Sequence, residues 1–459
     1  MALVLEGGKV VGTDIVREAS IRIENGVITR VGLDITLSGD ETRDISGMYA
    51  LPGGIDAHTH FDLPLSPTFR AADNFTTGTK AAIAGGTTCV IDYATQFKGE
   101  TLARGLDNWH ALADGKCFCD YAFHLAITDW NEAVTRELPG VVERGVTSFK
   151  MYMAYKGSLQ MDDSVLYSAL KKLKVLDALL CVHCENGDII AARTEEMIEA
   201  GHTTPEYHPL SRPEGLETEA ANRLLLAASL TDAPVYIVHV SAGATMRKII
   251  DAKLSGQRVY AETCPQYLYL DDGLYLEPDA AKYVCSPPLR NKKNNALLWS
   301  ALSQKLIDVV ATDHCSFNLT KKNELSAGGF NKIPNGMPGV ESRMLLLYKG
   351  VKDGRITLPQ MAALSSARPA QIFGMYPRKG ILAPGSDADI VLIDPRRKTV
   401  ISAARQFQNV DYTPFEGMEL PASIDSVYLR GEKVFQNGAF LTETPIGEYI
   451  PRKAKSCIS

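Results

Sequence analysis

The segment 50–60, ALPGGIDAHTH, is a short apolar run that ends in two histidines one residue apart. Four later segments repeat the arrangement, an apolar run of strand length that finishes in a nitrogen or oxygen donor. They are 145–153 GVTSFKMYM with Lys150, 178–186 ALLCVHCEN with His183, 233–241 APVYIVHVS with His239 and 306–314 LIDVVATDH with Asp313. Core packing alone does not explain five such strand ends. The pattern predicts the rim of one barrel around a metal site.

The middle of the chain, from residue 51 to about 370, alternates apolar runs with helical stretches. Apolar strands followed by helices are typical of a parallel sheet covered on both faces, and eight such units indicate a (β/α)8 TIM-like barrel. The active site of that fold lies at the carboxyl ends of the strands, where the donors fall. The connection 184–235 holds more than one helix. We predict strands at 51–57, 88–93, 120–127, 147–150, 179–184, 235–240, 258–262 and 308–313.

Both ends of the chain follow a different pattern, in which short β runs alternate with turns such as Glu24-Asn25-Gly26. We therefore predict a small β-sandwich domain built from residues 1–50 and 380–440. The barrel occupies residues 51–379 in this division. Residues 441–459 form a C-terminal tail and a candidate oligomer contact.

Composition excludes several classes of protein. The 459 residues are 45% hydrophobic and carry a net charge of −6, with no basic block of the kind that binds nucleic acid. No run approaches the roughly 18 apolar residues that cross a bilayer. The first twenty residues lack the pattern of a signal peptide, so we expect a cytoplasmic protein. An odd count of nine cysteines favours reduced thiols, and Cys181-Val-His-Cys184 has no second pair at zinc-ribbon spacing.

The histidines point to metal ligation. His58 and His60 are two residues apart on a strand and so share one face, while His183 and His239 each supply one donor. A single buried histidine is usually a hydrogen-bonded core residue. Four of the nine histidines at strand ends favour ligation, because neutral imidazole binds zinc and neighbouring metals.

Lys150 lies in a segment too apolar for an ammonium, and burial lowers the pKa of a lysine. The free amine can take up carbon dioxide to give a carbamate, N6-carboxylysine, whose two oxygens can bridge two cations. The alternative is an ion-paired or snorkelling lysine. Two metals about 3.5–4 Å apart turn a bridging water into hydroxide near neutral pH. Asp313 can bind one metal and act as general base and then acid, and we interpret Asp56, His314 and Cys315 as supporting residues.

These residues resemble the hydantoinase and dihydropyrimidinase family of cyclic amidohydrolases over essentially the whole chain. Within the family the likeness is to the bacterial D-phenylhydantoinase branch. The motifs that carry it are PGGIDAHTH (52–60), GGTT (85–88), TSFKMYMAY (147–155), VHCENGD (182–188), YHPLSRP (207–213), YIVHVS (236–241), AETCPQYL (261–268), SPPLR (286–290), VVATDHC (309–315), PNGMPGVESR (334–343) and KGILAPGSDADIVLIDP (379–395).

The resemblance implies a role for each matching residue. His58 and His60 hold the first metal and His183 and His239 the second, with carboxylated Lys150 between the two. Asp313 completes the first site and moves the proton. The remaining implied roles are Tyr155 as donor to the developing oxyanion, and Ser286 and Asn335 as binders of the ring amide through backbone groups. Zinc is the expected metal, with manganese or cobalt as alternatives.

The implied reaction is hydrolysis of a cyclic ureide to an N-carbamoyl amino acid. Apolar residues in otherwise polar loops suggest a wall for an aromatic C5 substituent, with D-selectivity by analogy with the branch. The family implies a homotetramer, or sometimes a homodimer. The proposed wall consists of Phe61, Leu63, Leu65, Phe69, Tyr152 and Leu159.

Other activities remain open at this stage. Dihydropyrimidinase proper and allantoinase are built alike. Dihydroorotase resembles the metal set but normally has an arginine two places after the HxH motif, where this chain has Asp62. Non-catalytic scaffold relatives have lost ligands that this chain keeps.

Overall fold

The structure, a computed structural model, describes residues 2–66 and 68–453. The middle of the chain forms an eight-stranded sheet and the two ends form a nine-stranded sheet; two further sheets have two strands each. The strands are β1 Leu3–Val11, β2 Val16–Glu24, β3 Val27–Gly32, β4 Glu41–Asp44, β5 Tyr49–Pro52, β6 Gly54–Thr59, β7 Pro64–Ser66, β8 Phe69–Arg70, β9 Thr87–Thr95, β10 Asp120–Ala126, β11 Ser148–Tyr152, β12 Leu179–His183, β13 Val235–Ile237, β14 Val259–Thr263, β15 Val309–Val310, β16 Ile390–Asp394, β17 Thr399–Val400, β18 Glu419–Leu420, β19 Ser423–Leu429, β20 Glu432–Gln436 and β21 Ala439–Phe440.

Helices fill most of the connections between the barrel strands. Several begin at a side-chain cap, as at Asn74 and Asp162, whose oxygens accept a backbone N–H of the first turn. The α-helices are α1 Phe75–Ala84, α2 Leu102–Ala113, α3 Glu132–Glu143, α4 Asp163–Val175, α5 Gly187–Glu199, α6 Tyr207–Ser211, α7 Glu214–Thr231, α8 Gly243–Leu254, α9 Pro265–Tyr269, α10 Lys292–Ser303, α11 Leu319–Ser326, α12 Arg343–Lys352, α13 Leu358–Ala362 and α14 Arg368–Ile372.

The eight-stranded sheet is a nearly closed parallel barrel with the order β15-β14-β13-β12-β11-β10-β9-β6. Each of the eight predicted strands is present, so the predicted TIM-like fold is confirmed. Every residue of β9 and β10 is buried, because one face packs inside the barrel and the other against the helices. The connection between β12 and β13 holds α5, α6 and α7.

The barrel closes along a seam between β6 and the end of β15. His60 N donates to the carbonyl oxygen of His314 (2.9 Å), and His314 N donates to that of His58 (3.3 Å). The buried Asp56 carboxylate accepts from Thr312 N (3.0 Å) and Thr312 Oγ1 (2.6 Å), across 256 positions of sequence. The seam therefore places the carboxyl ends of the first and last strands side by side.

The nine-stranded sheet joins the two ends of the chain. Strand β5 pairs with β1 on one side and antiparallel with β16 on the other, where Leu51 lies opposite Val391. The C-terminal strap, residues 447–452, leaves this sheet and returns to the barrel. Its Gly447 N donates to the carbonyl oxygen of Cys117 (2.9 Å) and its Ile450 N to that of Tyr121 (2.7 Å). The strap covers the starts of the strands, away from the donor-bearing ends.

The described cysteines are eight free and buried thiols, as expected of reduced residues; Cys457 lies outside the described residues. In residues 2–66 and 68–453, every helix is too short or too polar to cross a bilayer.

Candidate metal centre

The strand ends bring the predicted donors into one buried cluster. His58 Nε2 and His60 Nε2 lie 3.1 and 3.2 Å from Asp313 Oδ1. His183 Nδ1 lies 3.0 Å from His239 Nε2. The His58 and His239 rings stack with centroids 5.4 Å apart, so the two groups of donors are neighbours.

The donor atoms fit a divalent cation. One atom each from His58, His60 and Asp313 lie within 4.8 Å of one another. His60 Nδ1 and His239 Nδ1 are buried and have no hydrogen-bond partner among the described residues, while His58 Nε2 contacts Asp313. Buried polar atoms are normally paired. Imidazole nitrogens and a carboxylate oxygen that converge in one cluster are the ligand set of zinc and similar metals.

Lys150 reaches the same interior. Its side chain is 1% exposed, and Nζ lies 4.6 Å from the centroid of the Tyr93 ring, which itself packs against His58 at 4.7 Å. Within the described part of the chain, no carboxylate lies within ion-pair distance of Nζ. Burial lowers the pKa of Lys150, and the more distant Asp313 and Glu262 only partly offset this effect. The neutral amine of Lys150 is therefore easier to reach than that of an exposed lysine.

Two buried carboxylates that sequence reasoning missed orient the histidines. Glu262, in β14, accepts from His58 Nδ1 (2.6 Å) and Tyr236 Oη (2.7 Å). Glu185 lies 2.8 Å from His183 Nε2 and accepts from Arg212 Nη1 (2.7 Å). Each bond leaves the other ring nitrogen facing the cluster, which is how outer carboxylates set the tautomer of a ligating histidine.

The turn that carries Asp313 is held by the residues on either side of it. Asp56 fixes Thr312 at the seam. His314 Nε2 lies 3.0 Å from Asp73 Oδ2, while Gly339 N donates to His314 Nδ1 (3.1 Å). Asp313 and His239 both adopt positive φ, +53° and +39°, a conformation that costs free energy and persists only where surrounding contacts enforce it.

Tyr155 stands beside the histidines. It follows β11 with φ +68°, and its ring centroid lies 5.1 Å from that of His183. The Arg212 guanidinium lies 5.6 Å from the same ring. Burial raises the pKa of Tyr155, so its hydroxyl stays protonated and can donate.

Ser286 and Asn335 lie on two segments that meet next to Tyr155. Asn335 and Tyr155 line one cavity of about 590 Å³. The segments are joined where Gly336 N donates to the carbonyl oxygen of Val284 (3.0 Å). Ser286 hydrogen-bonds with the side chain of Tyr155, and Asn335 Oδ1 is buried without a hydrogen-bond partner among the described residues.

The suggested apolar wall is only partly available. Phe61 is fully buried and packs against Phe75 and His314, so it cannot contact a substrate substituent. Leu65, in contrast, is 49% exposed on the β7–β8 hairpin. Leu63, Phe69, Tyr152 and Leu159 are half-buried.

Known proteins resemble this chain over its full length. The amidohydrolase family matches residues 49–434. A D-hydantoinase of Geobacillus stearothermophilus is 44% identical over 456 residues, 98% of this chain and 97% of the relative. A D-phenylhydantoinase of Escherichia coli O1:K1 / APEC is 43% identical over 99% of this chain and 98% of the relative. The crystal structure of dihydropyrimidinase from Brevibacillus agri NCHU1002 superposes with a TM-score of 0.97, at 43% identity and 99% coverage of both chains.

Proposed function

The chain belongs to the amidohydrolase family, and on that basis we propose that it hydrolyses the ring of cyclic ureides to N-carbamoyl amino acids. The observation that carries the proposal is the convergence of His58, His60 and Asp313, whose ligand atoms share one buried site. Relatives named for hydantoin and dihydropyrimidine hydrolysis support the choice of substrate class.

The residues that would hold two divalent ions fall into two sets. His58, His60 and Asp313 would bind one ion, His183 and His239 the other, and carboxylated Lys150 would bridge them. Zinc, manganese or cobalt, when bound, would supply a bridging hydroxide near neutral pH and polarise the scissile carbonyl.

The chain's own groups account for proton movement and orientation. The Asp313 carboxylate would take up the proton released on attack and return it to the leaving ring nitrogen. The protonated Tyr155 hydroxyl would donate to the oxyanion that develops on the carbonyl oxygen. Backbone groups of Ser286 and Asn335 would hold the ring amide and so align its carbonyl for attack.

Substrate preference would come from the β7–β8 hairpin and the loop after β11. Leu65 projects from the hairpin into solvent, and Leu63, Phe69, Tyr152 and Leu159 complete an apolar wall without Phe61. We propose that this wall accepts an aromatic C5 substituent of the D-enantiomer. A homotetramer, or else a homodimer, is the assembly that we propose from the family resemblance.

A substrate panel on metal-analysed protein tests the proposal. We expect about two metal equivalents per chain and N-carbamoyl product from hydantoins, with D-5-phenylhydantoin ahead of its L-enantiomer, dihydrouracil and allantoin. Asp313→Asn is the matched inactive control. Metal-replete protein that opens none of these rings would exclude the function, whereas a preference for dihydrouracil would exclude only the aromatic wall.

A further inference from the structure

Lys322 is a fully buried lysine outside the metal centre. It lies in α11 with 0% exposure, and Nζ donates to the carbonyl oxygens of Val284 (3.1 Å) and Gly336 (2.7 Å). Among the described residues, no carboxylate lies within ion-pair distance of this ammonium. Its neighbour Lys321 instead reaches the surface and pairs with Glu324 (2.8 Å).

A lysine in this position is costly to the fold. Burying an ammonium without a counter-ion is unfavourable, and two carbonyl dipoles offset only part of that cost. The thiols of Cys285 and Cys315 and the Tyr412 ring, 5.9 Å away, complete its surroundings. Burial lowers the pKa of Lys322 to about 7. An apolar side chain would fill the same space at lower cost, so packing does not explain the lysine.

The two carbonyls that Lys322 binds belong to the two segments next to Tyr155. Val284 is two residues before Ser286, and Gly336 directly follows Asn335. The only backbone hydrogen bond found directly between residues 284–287 and 335–337, both within the described residues, is Gly336 N to the Val284 carbonyl. Lys322 adds a second link across the same gap.

We propose that Lys322 is a positioning residue for substrate binding, which fixes the distance between the Ser286 and Asn335 segments and thereby the affinity for the ring amide. This inference rests on the proposed function, because it assumes that the two segments grip the ring. Lys322 itself touches neither the substrate nor the donors of the metal centre.

Two substitutions of Lys322 test the inference. In Lys322→Met the segments lose their second link, and we expect KM for hydantoin to rise roughly tenfold or more, with a smaller change in kcat and an unchanged metal content. Lys322→Gln keeps an N–H donor, so its KM should lie between those of the wild type and Lys322→Met. The matched control is Lys321→Met, which removes only a surface ion pair and should leave KM unchanged.

A second measurement does not depend on turnover. Hydrogen–deuterium exchange of peptides that cover 284–287 and 335–337 should be faster in Lys322→Met than in the wild type, and unchanged in Lys321→Met. If the wild type opens no ureide, the proposed function fails, and accelerated exchange still supports the link. Metal-replete variants with wild-type KM and wild-type exchange would overturn the inference. Failure of both variants to fold would do so as well, since it would assign Lys322 to folding.

Discussion

Lys150 is the residue on which the proposed chemistry of the centre depends most. It sits among histidine and aromatic rings, without a carboxylate at ion-pair distance in the described part of the chain. As an ammonium it would repel the cations that the surrounding donors suit. As a carbamate it would supply two anionic oxygens to them. The same burial that makes the charged lysine unfavourable favours the amine that reacts with carbon dioxide.

Replacing Lys150 with alanine tests whether the side chain acts as a carbamate or as an ammonium. We expect Lys150→Ala to lose bound metal and to fall roughly a thousandfold in ring-opening rate, since metal assistance contributes several kcal/mol. Formate, acetate or propionate should restore part of both, because a free carboxylate can occupy the vacated space. Metal analysis and product assays measure the effect, with exposed Lys172→Ala as the control. Full activity in Lys150→Ala would exclude the bridge.

The buried carboxyl group of Glu341 should make the stability of the fold depend on pH. Burial raises the pKa of Glu341 to about 8, although Phe407 N donates to the carboxylate (2.7 Å). The folded chain therefore binds this proton more tightly than the unfolded chain, and stability from this group falls as pH rises from about 4.5 towards 8. We expect Glu341→Gln to raise Tm more at pH 9 than at pH 5. An equal shift at both pH values, or a similar shift in exposed Glu432→Gln, would contradict the assignment.

Sequence alone predicted the residues that meet in the cluster but not the carboxylates that contact their imidazoles. His183, His239 and Asp313 stand out because each ends an apolar run. Glu185 and Glu262 also lie at strand ends, within quoted motifs, yet a carboxylate there has many ordinary roles. Glu262 meets His58 across 204 positions of sequence, a contact that only the fold shows, whereas Glu185 lies two residues after its partner His183.

At the scale of elements, the turns after the strands determine the geometry of the centre. The strands themselves were predictable because both of their faces are apolar. The points at which the strands end were harder to predict. Strand β15 has only two residues and β13 only three, because each is followed early by a turn in which Asp313 or His239 adopts positive φ. The prediction that Phe61 belongs to the wall was wrong. Phe61 is buried by its packing against α1, and no local sequence pattern reveals that contact.

Gly336 is a turn residue whose surroundings leave no room for a side chain. Its φ is +142°, and a Cβ built on it would lie 2.3 Å from the carbonyl oxygen of Cys315. We expect Gly336→Ala to cost about 1–3 kcal/mol in strain and to lower kcat/KM roughly tenfold or more by displacing Asn335. Thermal denaturation and steady-state kinetics measure both effects. Gly215→Ala, where a Cβ meets nothing within 4 Å, is the control; equal behaviour of the two variants would show that the close approach is relieved without consequence.

At the scale of the whole molecule, a buried ion cluster ties the barrel to the nine-stranded sheet. Lys379 Nζ lies 2.5 Å from Asp120, at the start of β10, and 2.6 Å from Asp389, just before β16. Asp387 lies 2.9 Å away, and Arg430 also pairs with Asp120. The three carboxylates would otherwise suit a cation, and Lys379 already neutralises them in part.

Removing the lysine should therefore loosen the junction of the two sheets. Lys379→Met leaves buried carboxylates without their partner, which we expect to cost about 3–5 kcal/mol of stability. The matched surface change is Lys349→Met, which breaks an exposed pair with Asp353 and should cost less than about 1 kcal/mol. Urea unfolding followed by circular dichroism compares them. Similar midpoints for the two variants would argue against a structural role for the cluster.

The seam between β6 and β15 also sets a timetable for biosynthesis. Asp56 emerges from the ribosome long before Thr312, its partner 256 positions later. His58 and His60 therefore have no Asp313 to contact until almost the entire barrel has been translated. Contacts so distant along the chain form late, because closing a long loop is entropically costly. A nascent chain that stalls before residue 313 lacks one donor of the cluster, so the complete candidate metal site forms only after translation of the last barrel strand.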